Sequence, residues 1–192
     1  MYEPTPAAPT RWELLFADLE AQAAAQDAAE ADALVAELTR AEHATMTLAE
    51  RFRAALGAEV VLDLAAGEPV RGTVLEAAAE WVLLRGIAPS GPLQHLVPLS
   101  AVSGVSGLGR QAAPQQRREG LGLGPALRGL QRDRARLLVR TLAGAVEGRV
   151  GRVGRDHFDV DVVRGDGAAP RSSWPGARTV PFAALLCVSE AP

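Results

Sequence analysis

From Trp12 to Leu56 the chain contains neither glycine nor proline. Its larger apolar residues return every three or four positions, at Trp12, Leu15, Phe16, Leu19 and Ala23, then Leu34 and Leu38, then Leu48, Phe52 and Leu56. That period marks helix with one apolar stripe. Thr10-Arg11-Trp12-Glu13 has the spacing of a capping box, in which the threonine hydroxyl and the glutamate three residues on satisfy each other's free backbone donors, so the helix starts there. The same spacing at Thr47-Leu48-Ala49-Glu50 predicts a break over 43–46 and a second, short helix that ends at Gly57. Gln26 and Glu30 weaken the middle of the stripe. The long helix therefore either packs its stripe on the rest of the chain or pairs with a second copy as a short coiled coil.

Past Gly57 the pattern changes to short apolar runs punctuated by glycine and proline. Strands are predicted over 59–64, 70–76, 81–85, 93–98 and 102–105, and again over 136–141, 146–153, 157–163, 178–182 and 185–188. Between the two sets, Gly124-Pro125 opens a helix that runs to about Arg134, proline being suited to a first turn.

The second set repeats the first. Val97-Pro98-Leu99-Ser100-Ala101-Val102 is echoed by Val180-Pro181-Phe182-Ala183-Ala184-Leu185. Val60-Val61-Leu62 with Gly67 and Gly72-Thr73-Val74 is echoed by Leu137-Leu138-Val139 with Gly144 and Gly148-Arg149-Val150. A duplicated unit of helix plus five short strands predicts a mainly β protein with an N-terminal α-helix and two tandem small β-barrels. The expected divisions are a disordered tail over 1–9, the N-terminal helix over 10–46, a first barrel with its leading helix over 47–106, a Gly/Arg/Gln linker over 107–124, and a second barrel with its leading helix over 125–192. The copies differ most in the third loop, longer in the second copy, where it carries Trp174.

Each leading helix followed by a strand pair turning at glycine, a bent strand and a closing pair resembles the Sm-like small barrel of the wider SH3-like group. The Val-Pro-Leu and Val-Pro-Phe segments are similar to the closing strands of PRC-barrel domains. The segments 12–19 and 180–183 resemble uncharacterised two-barrel proteins of actinobacteria. The Sm-like resemblance implies RNA bound by an Asp and an Asn after the bent strand and by an Arg-Gly near the closing strands. Here the first copy has Ala78-Ala79-Glu80-Trp81-Val82 and Leu96-Val97-Pro98-Leu99, and the second has Arg155-Asp156-His157-Phe158 and Thr179-Val180-Pro181-Phe182. The resemblance therefore reaches the fold and not the RNA site.

Composition narrows the chemistry. All 20 basic residues are arginine, which removes Schiff-base and P-loop lysine chemistry. Aromatic residues are only 4%, so ring platforms for single-stranded nucleic acid are scarce. Cys187 stands alone in an apolar run and reads as a buried strand residue, and with no internal disulfide to form, and no apolar leader or membrane span, a cytoplasmic location is expected. His157, Asp159 and Asp161 alternate on one strand but are spaced too far apart to ligate one ion, and His43 and His95 lack partners at ligand spacing. Gly120-Leu121-Gly122-Leu123-Gly124 precedes a helix and could aim amides at an anion, but without a preceding strand it reads as a hinge. No catalytic, cofactor or metal constellation emerges, and a non-enzyme without small-molecule substrate is expected.

The net charge of −3 hides a gradient. Residues 1–57 hold four Arg against ten acids, net −6, whereas 107–192 hold fourteen Arg against eight acids, net +6. Two partner-binding readings follow. The stripe carrying Trp12, Phe16 and Leu19, together with Trp174, is expected to bind a protein partner or a second copy. Alternatively Arg110, Arg117, Arg118, Arg128, Arg132 and Arg134 neutralise phosphates of RNA or DNA, unless that basic segment rests on the acidic helix.

Overall fold

The computed structural model describes residues 10–88, 91–113, 122–162 and 176–191, without the side chains of Glu42 and His43; the expected tail 1–9 lies outside them. The chain divides into two compact units, Met1–Met46 and Thr47–Pro192.

The first unit is one helix, α1 (Arg11–Thr45). Thr10 caps it as its sequence demands: the Glu13 amide donates to the Thr10 hydroxyl, and the Glu13 carboxylate accepts from the Thr10 amide at 2.6 Å. The bond from the Thr10 amide, with a second donated to the same carboxylate by the Thr10 hydroxyl, holds the Glu13 carboxyl below its ordinary range. The helix ends where the sequence predicts a break, and Thr47 with Glu50 caps α2 (Leu48–Ala54) by the same device.

The second unit is built on β1 (Glu59–Leu64), β2 (Val70–Ala77), β3 (Trp81–Ala88), β4 (Gly91–Pro98) and β5 (Val102–Ser106), then α3 (Leu123–Asp133), then β6 (Leu137–Thr141), β7 (Gly144–Val153), β8 (His157–Val162), β9 (Ala177–Pro181) and β10 (Leu185–Glu190). All ten predicted strands form, each end within three residues of its expected place. The Val-Pro segments add a turn of 3-10 helix at Leu99–Ala101 and at Phe182–Ala184.

The two tandem units are not separate closed barrels. The strands form one antiparallel sheet in the order β5-β1-β2-β3-β4-β10-β6-β7-β8-β9. Each copy keeps the same internal order, with its fifth strand beside its first, but the outer edge of β4 is taken by β10 of the other copy, with Leu96 opposite Val188 and His95 opposite Ser189. The two halves are thus joined through a shared seam.

The sequence echo is also an echo of hydrogen bonds. Leu99 N–H donates to the Glu80 carbonyl as Phe182 N–H does to that of Asp156. Ala78 N–H donates to Trp81 as Gly154 does to His157, and Ala65 to Ala101 as Leu142 does to Ala184. The repeated glycine of the second strand has a steric reason. A Cβ on Gly72 would stand 2.6 Å from the Arg85 carbonyl oxygen, and one on Gly148 would collide with that of Asp161. Only glycine lets β2 and β7 approach the neighbouring backbone that closely.

Each half has its own core, entered by its leading helix: Phe52 of α2 in the first, and Leu127 with Leu123 of α3 in the second, Phe52 and Leu127 both 0% exposed. The inward positions of β1 (Val60, Leu62, Leu64) alternate with exposed Glu59 and Asp63, as a half-buried strand requires. At the seam the alternation disappears, and Leu185 to Ser189 are all buried. Leu186 and Cys187 enter the first core, while Leu185 and Val188 enter the second, so this strand is covered on both faces.

Candidate functional site

The first candidate surface is the stripe of α1. Trp12 is 68% exposed, Phe16 58% and Leu19 50%, and Leu15, Leu34 and Leu38 are exposed as well. At 100° per residue these six fall within one face of the helix, whereas exposed Leu14 and Val35 fall outside it. Trp174 lies outside the described residues, so nothing places it beside Trp12, Phe16 and Leu19. A helix bearing this much uncovered apolar side chain is the profile of an element that meets another surface.

The second candidate is the arginine segment, which the fold divides. Gly107 to Ala113 runs along α2: Arg51 donates to the Gly109 carbonyl at 2.9 Å, Arg53 Nε to that of Ala113 at 3.2 Å, and Ala113 N–H to Glu50. This leaves Arg110 exposed, and Arg117 and Arg118 are outside the described residues. Arg128 and Arg132, one turn apart on α3, are exposed and line a shallow hollow with Pro125 and Gln131. Arg134 is exposed but takes the left-handed conformation, φ 51°, at the end of α3, so it leaves the helix face that carries the other two. Arg136 pairs with Glu147, and Arg140 donates to the Glu68 carbonyl. Of the described arginines in this stretch, Arg110, Arg128, Arg132, Arg134 and Arg136 are exposed, the last of them paired with Glu147.

The glycine run before α3 behaves in one respect as an anion site, but the anion is the protein's own. The Glu80 carboxylate, in the β2–β3 turn of the first half, accepts from Leu123 N–H at 2.7 Å and stands 3.0 Å from where a Gly122 Cβ would be. Gly122, the N-cap of α3, offers no side-chain bond, so the first half supplies the cap that the second half lacks. Spacing along the chain carries no sign of this contact, because it depends on the seam.

The same is true of a polar cluster inside the seam. His95 Nδ1 and Ser189 Oγ share a hydrogen bond at 2.7 Å, and Cys187 Sγ lies 3.4 Å from the same hydroxyl. Burial holds His95 below its ordinary pKa, with the Arg140 charge acting the same way, and burial pushes the Cys187 thiol up. Ser189 is 4% exposed and Cys187 0%, so neither nucleophile is open to a substrate; the cluster joins strands.

On β8 the polar face is occupied locally. His157 pairs with the neighbouring Asp156 at 2.8 Å, and Asp159 accepts from the Thr179 hydroxyl at 2.7 Å. Among the described residues no three His, Cys, Asp or Glu side chains gather as a metal set, and no helix is long and apolar enough to cross a membrane. No protein-family model matches this chain, and no curated protein matches it.

Proposed function

We propose that this protein is a non-catalytic interaction protein that binds a protein partner or itself through α1, with the tandem halves as its platform. The observation that carries the reading is the exposed stripe of Trp12, Phe16 and Leu19 on a helix capped at its N-terminus. Uncovered in water, those three side chains forgo about 1.5 to 3 kcal/mol each of burial energy. The halves themselves are read as Sm-like or SH3-like small barrels that share a wall, supported by the same strand order in each, β5-β1-β2-β3-β4 and β10-β6-β7-β8-β9. The setting is read as cytoplasmic.

The test keeps the full chain and changes the stripe alone, with Trp12→Glu, Phe16→Glu and Leu19→Glu together. Wild-type protein recovered from its own cells should elute with a partner or as a multiple of 20.1 kDa, and the triple variant should lose that association while keeping its circular dichroism. Wild type that runs alone at 20.1 kDa and brings down no protein sinks the proposal.

A second reading, a regulator that binds RNA or DNA, is favoured by one observation, the exposed pair Arg128 and Arg132 beside Pro125 and Gln131 on α3. Arg128→Gln with Arg132→Gln should then weaken binding uniformly across sequences and lower the salt slope by about 0.9 for each duplex phosphate no longer neutralised. An unchanged slope removes these arginines from any such interface.

A further inference from the structure

The seam between the halves is a heterologous joint, the fourth strand of one copy against the fifth strand of the next. Among the described residues the same two strand types are left open at the ends of the sheet: β9, the counterpart of β4, pairs there only with β8, and β5, the counterpart of β10, only with β1. We infer that a second copy of this chain docks its β5 edge on the β9 edge of the first, repeating between molecules the antiparallel joint that β4 and β10 make within one.

The register follows from the repeat. Pro98 corresponds to Pro181, which matches Leu96 with Thr179 and His95 with Arg178. Val105 stands opposite Leu62 as Val188 stands opposite Val139, and Ser106 opposite Val61 as Ser189 opposite Leu138. The seam pairs Leu96 with Val188 and His95 with Ser189, so the intermolecular joint sets Thr179 against Val105 and Arg178 against Ser106. The polar lock at the seam, a basic side chain on a serine hydroxyl, is preserved at both open edges: Arg178 replaces His95, and Ser106 repeats Ser189. Val102 and Val105 are only half-buried, whereas their seam counterparts Leu185 and Val188 are buried. The open β5 edge therefore has apolar surface left to cover, and an edge strand offers its unpaired backbone groups to any matching strand.

The intermolecular joint is looser than the seam. His157 takes the place of Trp81, which is 5% exposed within the second core, and α2 has its own Thr47 cap where α3 borrows Glu80. Association is therefore reversible and concentration-dependent, and being head-to-tail it adds copies without a built-in stop unless the rotation closes it.

The experiment uses the full chain with cysteines at Val105 and Thr179; native Cys187 is buried and stays silent. A V105C/T179C double variant, oxidised under dilute catalyst, should give a non-reducing ladder at multiples of 20.1 kDa. V105C mixed with T179C should stop at the dimer, and neither alone should link. Sedimentation of the wild type should show mass rising with concentration, and Arg178→Glu should suppress the rise, whatever happens at α1. Linkage of V105C to itself, or a wild type that stays at 20.1 kDa up to millimolar concentration, overturns the inference while leaving the proposal for α1 to its own test.

Discussion

Replacing Leu186 by alanine tests whether the two halves are one cooperative body. Leu186 belongs to the second repeat, yet its side chain, 4% exposed, lies in the first core among residues such as Phe52, Val60 and Leu84. Three carbons are removed at ~0.8 kcal/mol each, about 2.4 kcal/mol, and a cavity that the surrounding strands only partly fill raises the loss to roughly 3 to 4 kcal/mol. With a urea slope of about 2 kcal/mol/M, the midpoint falls by about 1.5 to 2 M. The reporter should sit in the other core. Trp81 does, and in a background with Trp12→Phe and Trp174→Phe its fluorescence reads the second core while far-ultraviolet circular dichroism reads the whole sheet. Both curves should move together in L186A, and Leu137→Ala, a cut in the second core, should move the same single transition. If Trp81 keeps its wild-type midpoint while the dichroism curve splits in two, the halves fold separately and the shared-strand argument fails.

Three further outcomes follow from the seam and its surroundings. His95 is held below its ordinary value of 6.5 by burial and by Arg140, with Glu190 opposing. The unfolded chain therefore takes up a proton first, and stability present above about pH 6.5 declines as pH falls below it until folded His95 also protonates. Urea midpoints measured from pH 7.5 to 5 should fall less steeply in His95→Gln, and parallel slopes would refute the assignment. Glu80→Ala removes the carboxylate from Leu123 N–H and should cost about 0.5 to 2 kcal/mol, read as a lowered thermal or urea midpoint, whereas Glu80→Asp, one methylene short, should recover part of it. Cys187, buried with its thiol pKa raised, should resist a thiol reagent in the native protein and react at the rate set by unfolding; fast labelling without denaturant would mean that the seam opens on its own.

Much of this fold is written in local pattern. The capping boxes at Thr10 and Thr47 place both N-terminal helices because each involves residues three apart, and the alternation in β1 and β6 gives the buried face of each strand directly. The seam is not legible that way. Leu185 to Ser189 reads as a buried strand from composition, but which strand covers its second edge depends on pairing β10 with β4, where His95 meets Ser189 across 94 positions of chain. The Glu80 cap on α3 and the His95–Ser189 bond inherit the same blindness, since neither pair shows any spacing rule. The arginine segment looks uniform in sequence and is not so in space, because Arg136 and Arg140 turn to Glu147 and the Glu68 carbonyl, while Arg128 and Arg132 stay outside.

Where the two copies differ is more informative about use than where they agree. The agreements, Gly72 with Gly148, Pro98 with Pro181 and the paired backbone bonds, are the requirements of a bent five-stranded unit, which any function would share. The differences cluster at the joint. Trp81 is drawn into the second core, and His157 in the same place is half-exposed against Asp156. Glu80 caps a helix of the other half, whereas the counterpart α2 is capped by its own Thr47. The first copy is thus adapted to hold a neighbour tightly, and the second keeps a weaker version of the same edge. A duplication under selection only for stability has no need of that asymmetry, because two identical units could stand apart. On the proposed reading of α1 as a partner-binding helix, joining them into one sheet would suit a protein that holds other chains in a fixed relation, with the uncovered residues of α1 as the other hand-hold.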